Sequence, residues 1–165
     1  MPLRYDYCQQ MFFDIFILVY KIQKHSIMNN NLQKVTVELK DGKLCLAGKA
    51  SADELNPKAL MLCATAKCAG LTIMALLEKK GEAKIKSMEI TVEGTLNTPT
   101  LRGDSVYESF EVIYNVECKK LEDQAVVSAA VERAQEHSCG MITMLRKIAP
   151  VSHVIEVVST ETVEA

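Results

Sequence analysis

Asn56-Pro57-Lys58-Ala59-Leu60-Met61-Leu62-Cys63-Ala64-Thr65-Ala66-Lys67-Cys68-Ala69-Gly70-Leu71-Thr72-Ile73-Met74-Ala75-Leu76-Leu77-Glu78-Lys79-Lys80 has only Lys67 charged between Ala59 and Leu77. Asn56 suits a helix N-cap and Pro57 the first turn. Lys79 and Lys80 place cations on the C-terminal dipole, and Gly81 can stop the helix. The spacing predicts one long helix from about Pro57 to Lys80. A helix apolar all round must be buried on most sides. Its length approaches the roughly 20 residues that span a bilayer, but Cys63, Thr65, Lys67, Cys68 and Thr72 weaken a membrane reading.

The flanking chain is extended. Val35, Val37 and Leu39 alternate with Thr36, Glu38 and Lys40; after Asp41-Gly42, Leu44 and Leu46 alternate with Lys43 and Cys45. A two-residue Asp-Gly between alternating runs is a hairpin signal. Met88, Ile90 and Val92 share one face, as do Phe110, Val112, Tyr114, Val116 and Cys118, with Ile113 an apolar intruder on the polar side. These predict half-buried antiparallel strands. Asn97-Thr98-Pro99 and Arg102-Gly103-Asp104 mark a connecting loop; the Arg-Gly-Asp reads as turn chemistry, not adhesion. Val126, Val127, Ala130, Val131 and Ala134 form a helical stripe, with Glu122, Asp123, Glu132, Arg133 and Glu136 outside. A short helix from about Gly140 to Lys147 and a strand from about His153 to Val158 follow. The class is α+β. The central helix has more apolar face than one sheet can cover, so a second copy of the chain is expected over the remainder.

The segment before the domain reads differently. Met11-Phe12-Phe13-Asp14-Ile15-Phe16-Ile17-Leu18-Val19-Tyr20 is apolar but interrupted by Asp14, and it is followed by Lys21 and Lys24 without a small-x-small cleavage site. It reads as a short packed helix, or as sequence upstream of a start at Met28; membrane attachment or export is the alternative. Residues 1–31 are thus a leader and polar linker, and residues 32–165 the domain. A net charge of −2 and no basic stripe argue against nucleic acid as partner. Six cysteines without secreted-scaffold spacing suit a reducing cytoplasm, where disulfides are transient and catalytic.

Asn56-Pro57 through Cys68 resembles the N-P-x-x-L-x-x-A-x-x-x-C stretch of the OsmC/Ohr family of thiol peroxidases. The run Ala134-Gln135-Glu136-His137-Ser138-Cys139-Gly140-Met141 resembles that family's second cysteine element, and Ala149-Pro150-Val151-Ser152-His153 its C-terminal strand approach. The resemblance covers roughly residues 32–160. It implies an OsmC-like fold: an antiparallel sheet, a long buried central helix, a second helix and an intertwined homodimer. It also implies Cys68 as the peroxidatic and Cys139 as the resolving residue, an organic hydroperoxide as substrate and a dithiol as reductant, with no cofactor, metal or membrane.

In such chemistry a thiolate attacks the peroxide O–O bond and becomes a sulfenic acid, and a second thiol condenses with it to a disulfide. The first sulfur needs a cation, a hydrogen bond or a helix end to lower its pKa. Cys139 sits where a helix begins, which favours a thiolate. Cys45, Cys63 and Cys118 read as small hydrophobes, and Cys8 belongs to the leader. The chain departs from the family's peroxidases at two positions. These carry an Arg in the N-terminal strands, paired with a Glu directly after the helix-starting Pro. Here no Arg lies between Arg4 and Arg102, and Lys58 follows Pro57. Lys67 or Lys58 could supply the charge, though Lys lacks the forked geometry. The resemblance is therefore to the divergent OsmC-like branch.

His137, Cys139 and His153 with Cys63 or Cys68 make a weak metal set, because no C-x-x-C or H-x-x-x-H is present. Nucleotide binding and serine hydrolysis find no motif. Two functions stay open: a thiol-dependent peroxidase using Cys68 and Cys139, or a non-peroxidase OsmC-like protein that binds a small ligand or senses oxidants.

Overall fold

The computed structural model describes residues 31–48, 51–80, 85–99 and 101–161. The leader segment Met11–Tyr20, the Asn29-Asn30 part of the linker and the Gly81 stop lie outside the described residues. Strand β1 (Leu32–Lys40) turns through Asp41 and Gly42 into β2 (Lys43–Leu46). Both turn residues have positive φ, 50° and 74°, as a two-residue hairpin loop of this hand requires. Helix α1 (Pro57–Lys80) follows, then β3 (Ile85–Leu96), β4 (Tyr107–Cys118), α2 (Asp123–Arg133), a π turn (Ala134–Ser138), α3 (Gly140–Leu145) and β5 (Val151–Ser159).

The five strands form one sheet in the order β2-β1-β3-β4-β5. The α+β class agrees with the sequence reading, and four strands pair antiparallel as expected. The fifth differs: β5 lies parallel to β4, with Tyr114 opposite Ile155 and Val116 opposite Val157. A parallel neighbour needs a long crossover, and α2, the π turn and α3 provide it.

Alternation sorts the sheet's two faces. Val35, Val37, Ile90, Val92, Val112, Tyr114 and Val116 are buried on the inner face. The outer face carries polar pairs such as Thr36 with Thr91 (Oγ1–Oγ1 2.8 Å) and Lys34 with Glu93 (2.9 Å). Helix α1 lies over β1 and β3, and α2 over β4 and β5.

Helix α1 starts as the sequence predicts. The Asn56 side-chain oxygen accepts from the amides of Lys58 and Ala59, both at 3.0 Å. Leu62, Ala66, Ala69, Ile73 and Leu77 recur at spacings of three and four, and all are buried against the sheet. Gly70 makes a close approach, because a Cβ there would stand 2.7 Å from Leu44 Cδ1 and 3.3 Å from Ile90 Cδ1. The opposite side is less covered than expected of so apolar a helix. Leu60 is 41% and Leu71 59% exposed, and Ala64, Lys67 and Ala75 share that side. One sheet covers one side of a helix, so within a single chain this stripe faces solvent. The helix is long and apolar enough to cross a membrane, but its inner stripe is the sheet's cover.

Helix α2 buries Val127, Ala130 and Val131, as its stripe predicts. Asp123, expected outside, is buried instead. It is the first residue of α2, where the helix dipole favours a carboxylate.

Candidate functional site

Cys68 and Cys139 come from different elements and meet. Cys68 lies in the middle of α1. Cys139 lies between the π turn and α3. Cys139 Sγ–H donates to Cys68 Sγ at 3.3 Å. Both are free thiols. A disulfide needs about 2.05 Å between sulfurs, so closing the bond takes a movement on the order of 1 Å.

The two thiols differ in access. Cys139 is buried, at 1% exposure. Cys68 is half-buried and lines an open groove of about 650 Å³, with Ala64, Leu71, Ala75 and Leu76 as apolar wall and Lys67, Lys79, Arg133, Thr72 and Ser138 as polar rim. A solute entering the groove meets Cys68 first. The carbonyls behind both cysteines are satisfied locally: Thr72 donates to Cys68 O at 2.8 Å, and Thr143 to Cys139 O at 3.1 Å.

Burial, the largest effect, pushes the Cys139 thiol up to about 11. The nearby Cys68 sulfur pushes the same way, while the amides of Met141 and Ile142 pull it down. Those amides form no capping hydrogen bond to the sulfur. The helix start thus acts on Cys139 as the sequence suggests but loses to desolvation. At neutral pH Cys139 is a thiol, which fits its role as hydrogen-bond donor to Cys68.

A buried polar pair lies behind the thiols. Tyr114, wholly buried on β4, donates its hydroxyl to Gln135 Oε1 at 2.7 Å. Burial raises the Tyr114 pKa most; the charges of Cys139, Glu136 and Cys68 also raise it, and Arg146 opposes them. The phenol therefore lies within electrostatic reach of both sulfurs. Gln135 Nε2 is buried with no partner among the described residues.

Two of the cations considered in the sequence separate here. Lys58 Nζ donates to the carbonyls of Arg102 (2.9 Å) and Gly103 (3.5 Å), so it ties down the β3–β4 loop. Lys67 lines the groove beside Cys68 and also pulls down the Cys63 thiol, which burial pushes up. Arg133 joins the same rim, a residue the sequence assigned only to the outside of α2. Cys63 and Cys118 are buried, and Cys45 is exposed on β2. His153 Nδ1 lies 3.8 Å from Glu136 Oε1. No group of three His, Cys, Asp or Glu side chains placed to hold a metal occurs among the described residues. Tyr114, Gln135 and Arg146 were not singled out by sequence: Tyr114 looked like one more core residue, and nothing local marks the other two.

A family model described as OsmC-like protein matches residues 48–154. The fold is similar to that of a hypothetical protein from Aquifex aeolicus VF5, with TM-score 0.53 and 19% identity over 80% of this chain and 98% of the other. It is also similar to an OsmC like protein from Mycoplasma pneumoniae, with TM-score 0.50 and 12% identity over 80% and 99% of the two chains. An organic hydroperoxide resistance protein OsmC from Legionella pneumophila aligns at TM-score 0.46 and 20% identity, over 70% and 74%. Among curated proteins no match was found. The first two likenesses show a shared fold.

Proposed function

The chain belongs to the OsmC-like protein family, and we propose that within it the chain is a thiol-dependent peroxidase that reduces organic hydroperoxides through Cys68 and Cys139. One observation carries this reading: two thiols 3.3 Å apart, of which Cys68 alone lines the groove.

The steps follow from that asymmetry. The Cys68 thiolate attacks the terminal peroxide oxygen; the O–O bond breaks and the alkoxide leaves, taking a proton to become an alcohol. Cys68 becomes a sulfenic acid. The Cys139 sulfur then attacks the Cys68 sulfur, the S–O bond breaks, and the departing hydroxide takes the Cys139 proton to become water. A dithiol returns the pair to its reduced state through attack on the accessible Cys68 sulfur, and itself becomes a disulfide. Lys67, Lys79 and Arg133 are the cations on the groove rim, and none of them belongs to the family's Arg–Glu couple. Without a guanidinium–carboxylate pair dedicated to the Cys68 thiolate, turnover is slow. The apolar wall of Ala64, Leu71, Ala75 and Leu76 suits an organic body on the peroxide.

A homodimer in the cytoplasm completes the reading. The exposed stripe Leu60, Ala64, Leu71 and Ala75 is the side of α1 that a second copy would cover; three of these residues also wall the groove, so in the dimer the partner would close that side of it. Residues 32–165 form the domain in this account and residues 1–31 a leader and linker, of which residues 1–27 are dispensable.

A second reading is favoured by one observation. Cys139 is pushed up to about 11, which makes it a sluggish nucleophile at neutral pH. On that reading the chain binds a small ligand in the groove or senses oxidants slowly. A peroxide-consumption assay separates the two. Wild type should consume a hydroperoxide catalytically with a dithiol, Cys68→Ser should not, and Cys139→Ser should stop after one equivalent with a sulfenic acid on Cys68. Single-turnover oxidation in wild type without recycling would select the sensor. Sedimentation should report a dimer that Leu71→Glu dissociates; a monomeric wild type at micromolar concentration removes the dimer.

A further inference from the structure

The Cys139 sulfur is held at its distance from Cys68 by an unusual piece of backbone. After α2 the chain widens into a π turn over Ala134–Ser138, and the Cys139 amide donates to Ala134 O, five residues back, at 3.0 Å. Single π turns inside helices are costly and concentrate at functional positions. At Cys139 the backbone leaves the helix, with φ −85° and ψ 111°. The carbonyls of the last turn then lack the amides that a continuing helix would offer.

Arg146 supplies those donors. Its Nη1 donates to Glu136 O at 2.9 Å and its Nη2 to Gln135 O at 2.9 Å. Nη2 also meets Glu136 Oε2 at 3.2 Å. One planar guanidinium therefore caps two backbone carbonyls and one carboxylate of the π turn. A cation at a helix C-terminus is favourable, and the planar fork of a guanidinium holds two acceptors in one fixed geometry, which an ammonium does not. Arg146 itself is the residue that ends α3, and α3 is anchored by the buried Ile142 and Leu145. The side chain reaches back from the end of α3 to the turn before it. The loop so closed has Cys139 between its two anchors.

We propose that Arg146 is a positioning residue for the disulfide-forming step, its guanidinium bracing the π turn that presents the Cys139 sulfur to Cys68. It touches neither sulfur, and it acts through the backbone that carries Cys139. The role in peroxide turnover rests on the function proposed above, but the positioning itself is a property of the thiol pair and is readable without peroxide.

The test uses the full chain as Arg146→Met and Arg146→Lys, with wild type. First, each reduced protein is equilibrated with oxidised and reduced glutathione, and the Cys68–Cys139 disulfide is quantified by alkylation and mass spectrometry. Misplacing a reacting group by about 1 Å costs up to about a hundredfold, so Arg146→Met should form the disulfide about ten- to a hundredfold less favourably. Arg146→Lys should lie between the two. Second, after one equivalent of hydroperoxide, Arg146→Met should lose its Cys68 thiol at a rate within about twofold of wild type while a dimedone-trappable sulfenic acid accumulates in place of the disulfide. A disulfide equilibrium within about twofold of wild type in Arg146→Met overturns the proposal. So does an equal slowing of thiol loss and disulfide formation, which would mark a general loss of structure. If Arg146→Met does not fold, Arg146→Lys is read by the same criteria. If wild type ignores hydroperoxide, the peroxidase reading fails while the glutathione equilibrium still decides the role of Arg146.

Discussion

Replacing Tyr114 with Phe removes one oxygen atom from the interior and leaves the ring in place. That oxygen donates to Gln135 Oε1 at 2.7 Å, and both side chains are at most 1% exposed. Gln135 Nε2 has no partner among the described residues, so the substitution strips the amide of its only side-chain hydrogen bond there. A net hydrogen bond contributes about 1 kcal/mol, and an orphaned buried acceptor adds about 1–3 kcal/mol. A loss of about 2–4 kcal/mol is therefore expected. For a domain of this size each kcal/mol moves the melting temperature by roughly 3–5 °C, which puts the drop near 6–20 °C. Gln135→Leu alone should also destabilise, by roughly 1–2 kcal/mol, because it orphans the buried hydroxyl instead. The double variant removes both partners, so it should be closer to wild type than the sum of the singles, with a coupling of about 1–2 kcal/mol. Urea and thermal unfolding followed by circular dichroism under reducing conditions measures all four proteins. A Tyr114→Phe variant within about 0.5 kcal/mol of wild type, or a double variant equal to the sum, would refute the buried pair as an energetic unit.

Three further outcomes are expected. Gly94→Ala should cost about 1–3 kcal/mol by overpacking, because a Cβ there stands 2.7 Å from Tyr107 Cδ1 and the Tyr107 ring is backed by Phe110 at a 4.8 Å centroid distance; an unchanged melting temperature would contradict it. Cys139 binds its proton more tightly folded, at about 11, than its ordinary value of 9.0. The stabilisation linked to the raised pKa is therefore fully present below about pH 9 and is lost as pH rises toward 11. The melting temperature of the reduced protein should fall in that window, and Cys139→Ala should fall less; an equal fall in both would place the effect elsewhere. Lys58→Glu should loosen the Arg102–Gly103 turn that Lys58 holds, without speeding peroxide consumption, since the carboxylate would have no Arg to pair with; faster turnover would show that a lone carboxylate suffices.

What the sequence revealed and concealed follows the range of the interactions involved. Asn56, Pro57 and the lysines at the end of α1 act within one turn, and α1 runs over Pro57–Lys80 as they indicate. Asp41-Gly42 is a local signal too, and it makes the hairpin. Alternation placed Val112, Tyr114 and Val116 on the buried face of β4. The parallel placement of β5 was hidden, because alternation says which face a strand buries and nothing about which neighbour it joins. Apolarity all round α1 likewise did not reveal which side the sheet would take. The π turn and its Arg146 clamp were invisible for a similar reason: Arg146 lies ten and eleven residues from the carbonyls it caps. Gln135 read as one polar residue on a helix, and only the fold turns it onto Tyr114. The family's cysteine pattern drew attention to Cys68 and Cys139 across 71 residues of chain, and their sulfurs meet. Local helix-start chemistry suggested an acidified Cys139; burial, which the sequence does not display, reverses the sign.

The most direct measurement treats the reduced full chain with one equivalent of an organic hydroperoxide and maps its thiols by mass spectrometry. The account predicts a loss of about two hydrogens and a peptide linking Cys68 to Cys139, absent in Cys68→Ser, with a stable sulfenic acid on Cys68 in Cys139→Ser. A disulfide joining other cysteines, or a wild-type pair still reduced after hours, would contradict it.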